Sequence, residues 1–117
     1  MTAYALAHLM PAEPHPDVAE YLERIQSTLD PFGGRFLVHG APVDVREGSW
    51  PGHLVIIGFP TGADARAWYD SPAYRKILPL RADHIEGDLV IVDGVEPGHD
   101  SAEMGRAMRA ALQPSRK

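Results

Sequence analysis

From Ala3 onward the chain alternates small and large side chains. Tyr4, Leu6, His8 and Met10 fall on one side of an extended segment and Ala3, Ala5, Ala7 and Leu9 on the other, the period-two pattern of a strand. Pro11, Pro14 and Pro16 then withdraw three backbone donors and stop the ladder. Pro16 suits the first turn of a helix, and Val18, Tyr21, Leu22, Ile25, Leu29 and Phe32 follow at helical spacing with charges between them. Gly33-Gly34 ends that helix where a left-handed residue is wanted.

Residues 35–39 read as a second strand. Gly40-Ala41-Pro42 interrupts it, and residues 43–46 are expected to resume it as a kinked or bulged edge. After the turn-rich stretch at 48–52, residues 53–59 are almost all apolar, which predicts a strand buried on both faces. Thr61 and Asp64 have capping-box spacing and open a helix through Ala65, Trp68 and Tyr69. Ser71-Pro72 has the form of a new N-cap and first turn, so the helix should break there and restart with Tyr74, Ile77 and Leu78. Residues 89–92 form a last apolar strand.

The resulting order, βαββαβ, predicts an α+β domain of ferredoxin-like topology with a four-stranded antiparallel sheet over residues 1–96. Residues 97–117 make a C-terminal tail with a weak helix over 102–112, its stripe formed by Met104, Met108 and Leu112. Right-handed crossovers put both main helices on one face of the sheet. The other face should then alternate apolar with polar, yet residues 53–57 and 89–92 do not. A second copy packed sheet on sheet is the available cover, so a homodimer is expected.

Composition narrows the partners. Eleven Lys and Arg against 16 Asp and Glu give a net charge of −5, and the cations are scattered except at the last few positions, which argues against nucleic acid. No cysteine is present, so thiolate chemistry and disulfides are excluded. No apolar run approaches bilayer length and the first ten residues lack a basic leader segment, so no membrane partner and a cytoplasmic location are expected. Gly33-Gly34 follows a helix, the reverse of a phosphate-binding loop, and no nucleotide cofactor is expected. The six histidines show no metal-binding spacing, and no metal is expected.

The segments Phe32 to Leu37, Glu47 to Trp50, and Ala67-Trp68-Tyr69-Asp70-Ser71-Pro72-Ala73-Tyr74 followed by Leu80-Arg81 resemble the domain-of-unknown-function 1330 family. The resemblance spans Thr2 to Gly94, and its specific part is the Trp-Tyr-x-Ser-Pro-x-Tyr block with an arginine downstream. It implies the dimeric α/β-barrel superfamily and no particular activity. Superfamily relatives include cofactor-free monooxygenases, haem-using enzymes and lactone isomerases, which share a fold but not one catalytic constellation.

The resemblance would gather Arg35, Glu47, Trp68, Tyr69, Ser71, Tyr74 and Arg81 around the gap between the sheet and the broken helix. Two guanidiniums with aromatic walls suit a small anionic metabolite. The competing reading is structural: Trp68 and Tyr74 pack the helix, Arg35 pairs with Glu47, and Ser71 caps. His8 and His39 are the candidates for proton transfer, since imidazole titrates near neutral pH, and each also has a reading as a hydrogen-bonded structural residue. His84 is the one histidine to test against haem, although no cofactor is expected. Three functional readings follow: a pocket protein doing cofactor-free proton-transfer or oxygen chemistry on a carboxylated or carbonyl compound, a non-catalytic ligand-binding module, and a structural association domain.

Overall fold

The strand that begins the chain becomes the middle of the sheet. In the computed structural model, which describes residues 1–114, the order is β1 (Ala3–Leu9), α1 (Pro16–Leu29), β2 (Arg35–His39), β3 (His53–Phe59), α2 (Gly62–Asp70), α3 (Pro72–Ala82), β4 (Gly87–Asp93) and α4 (Ser101–Ala111). The sheet order is β2-β3-β1-β4, and every neighbouring pair is antiparallel. This is the ferredoxin-like α+β arrangement. No helix among the described residues is long and apolar enough to cross a membrane.

Local chemistry accounts for the element ends. The His15 ring caps α1 by accepting the Asp17 amide at 3.0 Å, with Pro16 behind it. A 3-10 turn over Asp30–Phe32 tightens the end of α1, and Gly33 follows at φ +70°, the left-handed residue the sequence asks for. Thr61 accepts the Asp64 amide at 3.1 Å while its hydroxyl donates to the Asp64 carboxylate at 2.8 Å, so the predicted capping pair forms.

Register decides which side chains meet. Ala3, Ala5 and Ala7 stand opposite Phe59, Ile57 and Val55 and face the helices. The methyl-sized side chains of the central strand let α2 lie close to the sheet, and Ile25, Leu29, Trp68 and Ile77 fill the core. The opposite face carries Leu6 between Ile56 and Val90, and Tyr4 between Gly58 and Val92. No helix among the described residues covers it, and Val90 is 55% and Val92 50% exposed. The burial predicted for both faces of β3 is therefore reached only on the helix side within one chain, while Leu54 and Ile56 stay partly exposed.

Two expectations are corrected. Residues 43–46 form no strand, because Gly40 turns at φ +81° and Pro42 withdraws a donor. The irregularity lies instead inside β2, where Leu37 is an extra residue between the pairs Phe36–Ile57 and Val38–Ile56. The tail helix does form as α4, yet every residue in it is exposed. It extends the molecule to a radius of gyration of 18.3 Å, against roughly 13 Å for a compact domain of this length.

Candidate functional site

Ser71 sets up the site. Its backbone is extended between two helices, its hydroxyl donates to the Trp68 carbonyl at 2.7 Å, and it accepts the Tyr74 amide at 3.2 Å. One hydroxyl thus closes α2 and opens α3. The bend directs Trp68 and Tyr74 at the sheet with ring centroids 4.2 Å apart, and both are fully buried. The indole N–H donates to the Thr28 hydroxyl at 3.0 Å, which donates in turn to the Ile25 carbonyl at 2.7 Å. Trp68 is thereby satisfied and fixed by α1.

Two turns further along α3, Arg81 points back under Tyr74. Its Nη2 donates to the Tyr74 hydroxyl at 3.4 Å, and the guanidinium carbon lies 5.6 Å from the centre of the Tyr21 ring. The Tyr21 and Tyr74 hydroxyls are 2.9 Å apart. Arg81 is only 9% exposed, and no carboxylate among the described residues lies within ion-pairing distance of it. Burial works against its charge, but the hydroxyls of Tyr74 and Tyr21 outweigh this and hold the guanidinium protonated. Burial, reinforced by Tyr74, drives the Tyr21 hydroxyl far above the usual tyrosine range, so it is a neutral donor or acceptor at any working pH.

Trp68, Tyr21 and Arg81 border a small cavity of about 60 Å³ between α1, α3 and the sheet. Ala7 and Ile57 form part of its floor, Tyr21 and Ile25 part of its wall, and Arg81 supplies the one charged group in its lining. No buried side-chain nitrogen or oxygen among the described residues lacks a partner, and Arg81 belongs to the lining of this largely apolar space.

His39 stands at the outer end. The extra residue in β2 brings it to the same face as Phe36, and the two rings stack with centroids 4.0 Å apart and planes 2° apart. In an unbulged strand, residues three apart would face opposite ways. Partial burial lowers the His39 pKa, so the ring is neutral at pH 7.

Of the residues singled out from the sequence, Trp68, Ser71, Tyr74, Arg81 and His39 come together here. Tyr69 is half-buried beside Trp68 and Tyr74, with the Arg75 guanidinium 4.9 Å from its ring centre. Arg35, Glu47 and His8 do not join them. Arg35 pairs with Gly58 in register and lies on the uncovered face, in a hollow with Tyr4 and Leu37. Glu47 is exposed in the loop after β2 and makes no ion pair with Arg35. His8 shares the uncovered face, stacked on Trp50 at 4.3 Å and bonded to the Pro51 carbonyl. Strand alternation is the reason: Arg35 and His8 sit at positions whose side chains leave the helix face. The anticipated pair of guanidiniums is thus a single one.

Tyr21 and Thr28 are the residues missing from the sequence-based set. Thr28, a polar residue within the buried stripe of α1, was the available signal, because a buried hydroxyl implies a buried partner.

His84 lies outside the cavity. Its Nε2 is 2.9 Å from Asp17, and its ring stacks on His15 at 3.6 Å with 22° between planes. Ligating atoms of His15, Asp17 and His84 all fall within 4.8 Å of one another. The near-parallel rings aim their in-plane lone pairs past each other, a poor start for a shared ion.

The element order and the sheet order define a ferredoxin-like fold of the kind seen in several solved proteins. RPA0582, a protein of unknown function from Rhodopseudomonas palustris, superposes with a TM-score of 0.62 at 18% identity over 82% of this chain and 84% of that one. SnoaB, a cofactor-independent oxygenase from Streptomyces nogalater, gives 0.51 at 10% identity over 85% and 96%. Atu4242 from Agrobacterium tumefaciens gives 0.50 at 13% over 83% and 96%. At these identities the likeness is one of fold. The chain belongs to the family Domain of unknown function (DUF1330), whose model matches residues 2–95. No curated protein matches the sequence.

Proposed function

We propose that the protein is a homodimeric small-molecule pocket protein that binds a carboxylated or carbonyl compound at Arg81, and that it acts on it by cofactor-free proton-transfer or oxygen chemistry. One observation carries the reading: a buried arginine in the lining of a cavity, with no carboxylate among the described residues within ion-pairing distance of it. Its partner in the protein is the neutral Tyr74 hydroxyl, and an incoming carboxylate or enolate would supply the opposite charge through charge-assisted hydrogen bonds.

The test is a thermal-shift screen of small carboxylates and carbonyl compounds against the wild type, Arg81→Gln and Trp68→Ala. Binders should raise the wild-type melting temperature and lose at least tenfold in affinity in Arg81→Gln. Shifts that survive unchanged in both variants would remove the pocket assignment.

A non-catalytic version of the same pocket is favoured by one detail. His39 is the only imidazole in the cavity lining, and its recorded contact is the stack on Phe36, with no carboxylate to orient it as a base. Incubating a bound compound in air and recovering it separates the readings, with chemical change supporting an enzyme and intact recovery a binding module. The dimer reading rests on the apolar uncovered face, whose Val90, Val92 and Leu37 side chains are about half exposed in one chain.

A further inference from the structure

We infer that the ligand is an apolar-bodied monocarboxylate that enters head first, its carboxylate at Arg81 and its hydrocarbon chain lying outward along the groove between α1 and the sheet. This rests on the pocket reading above and adds the ligand class and its orientation.

Two observations carry it. First, the cavity at Arg81 does not end at the protein surface. It continues into a wider, open hollow of about 400 Å³, and Leu9, Val18, Leu22, His39, Val55 and Ile85 line both spaces. Arg81, Tyr21 and Trp68 border only the inner one. The two form one channel with the cation at its closed end. Secondly, the side chains along the stretch shared by the two spaces are chemically one-sided, His53 lining only the outer hollow. Apart from His39, which is neutral, the shared stretch is aliphatic, and Leu22 is left 52% exposed at its rim. A charged or hydroxylated ligand body would lose water there without gaining hydrogen bonds, whereas methylene groups gain burial. A hydrophobic channel ending in a buried cation that has no carboxylate partner among the described residues is complementary to a molecule with one anionic end and an apolar remainder.

The experiment is calorimetric titration of the full chain with straight-chain acids from butyrate to octanoate, and with the alcohols of matching length. The expected affinity rises about three- to fourfold per added methylene, the factor corresponding to burial of a CH₂ group. Each acid should bind at least tenfold more tightly than its alcohol. Leu22→Glu, at the exposed rim, should flatten the length dependence.

Acids of every length binding equally, with the preference over alcohols kept, would overturn this inference while leaving the Arg81 pocket standing. Alcohols matching acids would overturn the head-first orientation. No binding by any acid would remove the pocket reading as well.

Discussion

Tyr74→Phe removes one oxygen and nothing else, and the structure sets what that oxygen is worth. It is the only hydroxyl that reaches both Tyr21, at 2.9 Å, and Arg81, at 3.4 Å. The ring itself is fully buried against Trp68 and should stay in place. The neutral hydrogen bond contributes about 1 kcal/mol, and the longer charge-assisted one about the same. The expected loss is therefore about 2 kcal/mol, or roughly 8 °C in melting temperature for a domain of this size. Tyr21→Phe alone should cost about 1 kcal/mol. If the two hydroxyls are partners, the double variant should be about 1 kcal/mol more stable than the sum of the single losses. Urea denaturation of the four proteins, read by tryptophan fluorescence, measures all of these. A Tyr74→Phe protein within about 0.5 kcal/mol of the wild type, or strict additivity in the double variant, would refute the network.

Further outcomes follow from single groups. Ser71→Ala removes the hydroxyl that serves two helix ends and should cost about 1–2 kcal/mol in the same assay. Val90→Glu places a charge midway along edge strand β4 on the uncovered face and should convert a dimer into monomer in sedimentation velocity at micromolar concentration, with little change in helical circular dichroism. His39 has a folded pKa below its ordinary value of 6.5 because of burial. Between those two values the unfolded chain holds more protons, so stability is full above 6.5 and declines as pH falls through the lowered value. His39→Asn should show a shallower decline than the wild type between about pH 7.5 and about pH 5 in urea titrations.

The fold was legible because each local signal agreed with its neighbours. Alternation in Ala3–Leu9, the helical stripe through Tyr21 and Ile25, and the Ser71-Pro72 restart all name one topology. The candidate site was legible only in part. Trp68, Ser71, Tyr74 and Arg81 are spaced along one broken helix, so local periodicity brings them together. Arg35 and His8 were misplaced because which face of a sheet a side chain takes depends on pairing register, and register is a non-local property. His39 shows the same limit from the other side. Strict alternation would set it apart from Phe36, and only the pairing of β2 with β3 reveals the extra residue that unites them. Tyr21 escaped because a tyrosine at a helical core position reads as packing until its hydroxyl is seen to meet another.

The sheet has two edges, and that extra residue makes them unequal. β2 is five residues long, bulged at Leu37 and ended by Gly40 and Pro42. Such an edge offers too short and too uneven a row of free amides and carbonyls to template another strand. β4, at the other edge, is seven residues in unbroken register with β1, and Asp88 and Asp93 near its ends are the charges that discourage pairing. Strand-to-strand association, whether it builds an assembly or an aggregate, is thus directed to β4, and loss of those two carboxylates is the change that would expose the chain to it.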